Sequence, residues 1–112
     1  MNRVFLTGLA VVSAAFAVAT AATGAAAAGP PVQVEISKFA FAPKEITVAP
    51  GTTIAWVNHD ETPHTISADD QAYVSKALDT DDRYEHTFDH EGDFHYFCTV
   101  HPFMVGVVHV HK

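Results

Sequence analysis

The chain has 112 residues, 48% of them hydrophobic, enough for one core and too few for two domains of ordinary size. Its 13 acidic residues outnumber 6 Lys and Arg, giving a formal charge of −7 that argues against a nucleic-acid or anionic-membrane surface and favours a neutral or basic protein partner. The lone cysteine, Cys98, excludes an internal disulfide, a cysteine-rich zinc framework and a two-thiol redox motif.

The N-terminus carries Arg3, an apolar run from Val4 to Val18 and small residues at Ala25-Ala26-Ala27-Ala28 before Gly29-Pro30, the layout of a secretory signal peptide over residues 1–28. A membrane anchor fits less well, because Thr7, Gly8, Ser13 and Thr20 dilute a run already dominated by Ala, and no basic stop follows; stable membrane insertion is not expected. There is no twin-Arg pair and no cysteine placed to carry a lipid, so the expected route is general export to the periplasm. Residues 29–112 then form the mature domain, with 13 acids against Lys38, Lys44, Lys76, Arg83 and Lys112, a formal charge of −8. A domain this small has little core to spare, and without disulfides a metal is the remaining staple.

From Val32 to Ile36 apolar and polar residues alternate with period two, predicting a half-buried strand, and Ile46 to Val48 repeats the pattern. Pro50-Gly51 marks a turn, after which Thr52 to Asn58 is a strand with Ile54 and Trp56 on one face. His64 to Ser67 and Arg83 to Phe88 are further strand candidates. Gly92 opens a run from Asp93 to Cys98 that places Phe94, Tyr96 and Cys98 on one face, and Val105 to His111 closes the chain. Residues 68–82, rich in Asp around Ala72-Tyr73-Val74 and Ala77-Leu78, are expected to be a loop with one helical turn. Seven to eight short strands at this spacing indicate an all-β sandwich or small barrel.

A free thiol in an exported chain is a liability unless something occupies it. Within seven residues, Cys98-Thr99-Val100-His101-Pro102-Phe103-Met104 supplies a thiol, an imidazole and a thioether, and Met104 is the sole methionine besides Met1. Soft sulfur with imidazole selects copper, and two His with one Cys in a plane, plus a weak axial Met, is the donor set of blue-copper electron-transfer sites. The second imidazole must come from a neighbouring strand. His64 follows the Trp56 strand and is preferred; His59, at the polar head of the same turn, is its rival and is expected to be solvated. Three strong donors and one weak one leave no open position for a substrate, so an enzyme is not expected. A dinuclear copper centre needs a second Cys, and a multicopper oxidase needs more domains.

These residues carry a family resemblance. The string Cys-Thr-x-His-Pro-Phe-Met-x-Gly over Cys98 to Gly106 is similar to the ligand loop of the cupredoxins, most of all the amicyanins. So are Phe39-Ala40-Phe41-x-Pro43, the run Ile46-x-Val48-x-x-Gly51-x-x-Ile54-x-Trp56-x-Asn58, and Pro63-His64-Thr65. The resemblance implies a cupredoxin-like Greek-key sandwich and one type 1 copper held by His64, Cys98, His101 and Met104. It also implies single-electron transfer with a c-type cytochrome or a periplasmic dehydrogenase, docking a monomer through Val100, Pro102 and Phe103 around His101. Two departures stand inside the motifs: Val100 replaces a family Pro, and Thr65 replaces the Asn that donates near the thiolate. Copper delivery by the same donors is the alternative function, motivated by the additional histidines, of which His109 and His111 alternate on the last strand.

Overall fold

The computed structural model describes residues 29–112 and folds them into eight strands with no helix among the described residues. They are β1 (Val32–Ser37), β2 (Ala40–Ala42), β3 (Glu45–Val48), β4 (Thr52–Asn58), β5 (Ser67–Ala68), β6 (Arg83–Phe88), β7 (Gly92–Phe97) and β8 (Val105–Val110). The expected signal segment lies outside the described residues.

Two four-stranded sheets face each other, ordered β2-β1-β4-β6 and β3-β8-β7-β5. β1 runs parallel to β4 and β3 parallel to β8, while the other neighbours are antiparallel. The period-two pattern sets which side chains meet between the sheets: Val34, Ile36, Ile54 and Trp56 from one sheet, and Tyr96, Val108 and Val110 from the other, are essentially inaccessible. Burying each of the aliphatic side chains contributes about 1.5–3 kcal/mol, so the face between the sheets is the main source of stability. Trp56 sits at its centre, 5.3 Å from the Tyr96 ring and 5.9 Å from Tyr84. Gly106 stands opposite Tyr96 in the β7–β8 ladder, and its missing side chain makes room for that ring: a Cβ there would lie 2.4 Å from Tyr96 Cζ.

Residues 68–82 depart from expectation. There is no helical turn; the segment is stitched to the chain before it by backbone bonds between His64 and Leu78, from Ser75 N to Ile66 O and from Ala68 N to Tyr73 O. Tyr73 and Leu78 enter the core, which gives the segment an apolar anchor that its aspartates conceal. Of the strand expected over His64 to Ser67, only Ser67 joins β5 (Ser67–Ala68), and His64 instead forms an isolated bridge to Leu78.

Candidate metal centre

At one end of the sandwich three connections converge. The β4–β5 link brings His64 and Thr65, the β7–β8 link brings Cys98, His101 and Met104, and the β1–β2 turn lays Phe39 over them. Cys98 Sγ lies 3.8 Å from His64 Nδ1 and 3.9 Å from His101 Nδ1, and one donor atom from each of the three residues lies within 4.8 Å of the others. A metal with bonds of about 2.3 Å to sulfur and about 2.0 Å to nitrogen, spaced evenly in a plane, sets S and N about 3.7 Å apart. The triangle therefore fits one ion. His64 and Cys98 are fully buried, Met104 is 2% exposed and His101 is half-buried. Met104 closes the loop with its backbone, donating to His101 O at 2.8 Å and accepting from Cys98 N at 3.0 Å.

The donors are held by partners that fix their protonation and direction. His64 Nε2 is 2.8 Å from Asp60 Oδ2, so a proton on Nε2 leaves the Nδ1 lone pair aimed at the triangle. Asp60 also accepts from Lys38 N at 2.7 Å and Phe39 N at 3.0 Å. Both residues are in the left-handed region, with φ of 54° and 59°, a conformation that costs a non-glycine residue about 1 kcal/mol or more. Burial alone lifts the Asp60 carboxyl, but the donors from Phe39, His64 and Lys38 outweigh it and hold the group below the usual aspartate range. Asn58 completes the turn: its Oδ1 accepts from Asp60 N, and its amide donates to Thr62 O and Leu78 O.

The cysteine has its own support. Thr65 N donates to Cys98 Sγ at 3.4 Å, and the Thr65 hydroxyl lies 3.8 Å from the same sulfur. That hydroxyl accepts from Thr99 N at 2.8 Å and pairs with the Thr99 hydroxyl at 2.7 Å, tying the two loops together. Thr65, one of the two departures from the motifs, thus lies close to the sulfur.

All four sequence-selected residues, His64, Cys98, His101 and Met104, come to this one end. His59 does not; it is exposed and pairs with Glu35. Asp60 escaped the sequence reading, although its position four residues before His64 in a turn was the available signal. Phe39 also escaped it as a surface residue: it packs edge-on to both His64 and His101, at 5.2 and 5.0 Å. Together with Val100, Pro102 and Phe103 it forms an exposed apolar collar around His101, with Phe103 70% accessible.

Comparison with known proteins agrees with this geometry. A family model described as a Cupredoxin-like domain matches residues 8–110. An amicyanin of Paracoccus versutus is 35% identical over 82 residues, covering 69% of this chain and 62% of that protein, so the match spans somewhat less than two thirds of that relative. An amicyanin-alpha of Methylorubrum extorquens is 31% identical over 111 residues, 93% of each chain. Among solved structures, a purple cupredoxin from Nitrosopumilus maritimus superposes with a TM-score of 0.68 at 34% identity, covering 71% of this chain and 99% of that one.

Proposed function

Because the chain belongs to the cupredoxin family, we propose that it is a small exported electron carrier. It holds one copper ion with His64 Nδ1, Cys98 Sγ and His101 Nδ1, and the Met104 thioether serves as a weak fourth donor. The observation that supports this reading most is the triangle of two imidazoles and one thiol at one end of a rigid sandwich, with His64 and Cys98 buried and His101 half-buried. Bound copper supplies one-electron chemistry between its Cu(I) and Cu(II) states.

The protein's part is to keep the donors still and dry. Asp60 keeps His64 in one tautomer, and Thr65 holds the Cys98 sulfur in place. The four donors leave no position for a substrate, which supports a carrier over an enzyme. The burial of His64, Cys98 and Met104 supports retention of the ion over hand-over to an acceptor. His101 alone of the donors is partly accessible, so its edge is the exit for the electron, and the collar of Phe39, Val100, Pro102 and Phe103 is the docking surface. A small apolar patch suits a partner that must leave after each transfer, such as a c-type cytochrome or a periplasmic dehydrogenase. Residues 1–28 are removed on export and residues 29–112 work in the periplasm as a monomer.

Anaerobic mixing of the reduced, copper-loaded protein with an oxidised c-type cytochrome tests the reading. In Phe103→Glu the visible spectrum is unchanged, while the second-order rate falls about tenfold through the lost apolar anchor. Equal rates for both proteins would remove the collar from the interface.

A further inference from the structure

A second set of metal-ligating side chains lies on the outward face of the β3-β8-β7-β5 sheet. Asp93 on β7 stands directly opposite His109 on β8, and His111 follows two residues later; one ligand atom of each lies within 4.8 Å of the others. Five residue steps along the chain through β8 separate His109 from Met104, about 16 Å at the rise of a strand, so this cluster is at the far end of the sandwich from Cys98.

Asp93 Oδ1 is 2.6 Å from His109 Nδ1 and 3.2 Å from His111 Nε2. An ion with bonds of about 2.0–2.2 Å, at angles between octahedral and tetrahedral, sets neighbouring donors about 2.8–3.6 Å apart. The two edges that Asp93 makes need adjustments of only a few tenths of an ångström to take one, and the two imidazole donors lie within 4.8 Å of each other. The other nitrogen of His109 is already engaged, with Nε2 3.1 Å from Glu45 Oε1 on β3. With Nδ1 on a metal, the Nε2–H donates to Glu45, which is the carboxylate–histidine–metal arrangement that orients a ligating imidazole.

The backbone beneath is held in place. His109 lies inside the ladder between β3 and β7, His111 N donates to Val48 O at 3.0 Å, and Lys112 N donates to Glu91 Oε1 at 3.0 Å. The two rings lie 20° from parallel, with centroids 6.2 Å apart. Without an ion the arrangement is proton-hungry: one carboxylate oxygen serves two imidazoles, and both nitrogens of His109 face carboxylates. A cation relieves that demand directly.

We propose that Asp93, His109 and His111 form a second metal site, for a borderline divalent ion such as Zn²⁺ or Cu²⁺, with Glu45 positioning His109. Two imidazoles disfavour Mg²⁺ and Ca²⁺, and the lack of sulfur disfavours Cu(I), so the site distinguishes copper by oxidation state. Partial exposure of all three donors leaves room for water and makes the ion exchangeable, unlike one held at Cys98. The proposal shares no residue with the thiolate centre and stands whether or not that centre holds copper.

Zn²⁺ titration of the Cys98→Ser variant, followed by the imidazole NMR signals, tests it, since each histidine reports separately. The expected result is saturable movement of the His109 and His111 signals. The fit has one ion per chain at this cluster. Affinity drops by at least about tenfold in His109→Gln/His111→Gln, and falls about tenfold in Glu45→Gln. These side chains are on the surface, and an unchanged circular-dichroism spectrum certifies the fold of each variant. Signals that stay still up to millimolar Zn²⁺, or equal binding by the double variant, would overturn the proposal.

Discussion

Asp60→Ala tests how much of the metal centre is built outside the donors. The substitution removes an acceptor from three groups: His64 Nε2 at 2.8 Å, Lys38 N at 2.7 Å and Phe39 N at 3.0 Å. Bonds to a charged acceptor contribute about 1.5–3 kcal/mol, but water replaces the acceptor readily at the exposed Lys38 and Phe39 amides. His64 is fully buried, so its orphaned ring nitrogen carries the larger cost, and the left-handed Lys38 and Phe39 lose the contact that favours them. The expected loss is about 3 kcal/mol, and at 4–8 °C per kcal/mol for a domain of this size the melting temperature drops by about 12–24 °C. Affinity for copper falls by about 10–100-fold, because His64 is free to turn and to change tautomer. Asp60→Asn keeps an acceptor and the shape while removing the charge, so it falls between the two. Urea unfolding of the metal-free proteins and competitive copper titration against a chelator measure the two effects. An Asp60→Ala protein within about 0.5 kcal/mol of the parent, with unchanged copper affinity, would refute the reasoning.

Further expectations follow from neighbouring features. Thr65→Val keeps the volume but strips the acceptor from Thr99 N; it costs about 1–3 kcal/mol in urea unfolding, and a cost near zero would show that the link between the two loops carries no weight. Gly106→Ala drives a methyl group into the Tyr96 ring, which Trp56 and Phe41 hold at 5.3 and 4.8 Å; a loss of about 1–3 kcal/mol is expected, and a stable variant would mean that this corner of the core yields. His86 is stacked 4.1 Å from Tyr73, and burial lowers its pKa below the ordinary 6.5, outweighing the pull of Asp89 and Asp70. Its unfolded form therefore takes up a proton first, so its contribution to stability declines as pH falls from 6.5 towards the folded value and is level above 6.5. NMR titration of His86 at or above 6.5 would contradict this, and His86→Gln is expected to flatten that part of the pH profile.

The strands were legible where one face is buried and the other wet, because alternation is then forced. Thr52–Asn58 and Arg83–Phe88 emerge with the bounds their pattern indicates. β2 was not, since Ala40-Phe41-Ala42 is too short to show a period and owes its place to pairing with β1. Residues 68–82 misled because Tyr73 and Leu78 are two isolated anchors in an acidic stretch, and neither strand nor helix spacing connects them. Of the candidate centre, Cys98, His101 and Met104 were readable together because one short loop carries all three. His64 needed a choice between two histidines, which depth in the turn decides: His64 is fully buried and His59 exposed. Phe39 and Glu45 act across elements, through contacts that linear spacing does not encode, whereas Asp60 left a signal in its place four residues before His64.

The central claim, one copper held by two imidazoles and one thiolate, is tested most directly by titrating the protein with Cu(II) and recording the visible spectrum, with Cys98→Ser alongside. An intense thiolate-to-copper band that saturates at one equivalent, bleaches with reductant, returns with oxidant and is missing from Cys98→Ser is the predicted result. Copper that binds without that band, or a band that survives in Cys98→Ser, would contradict it.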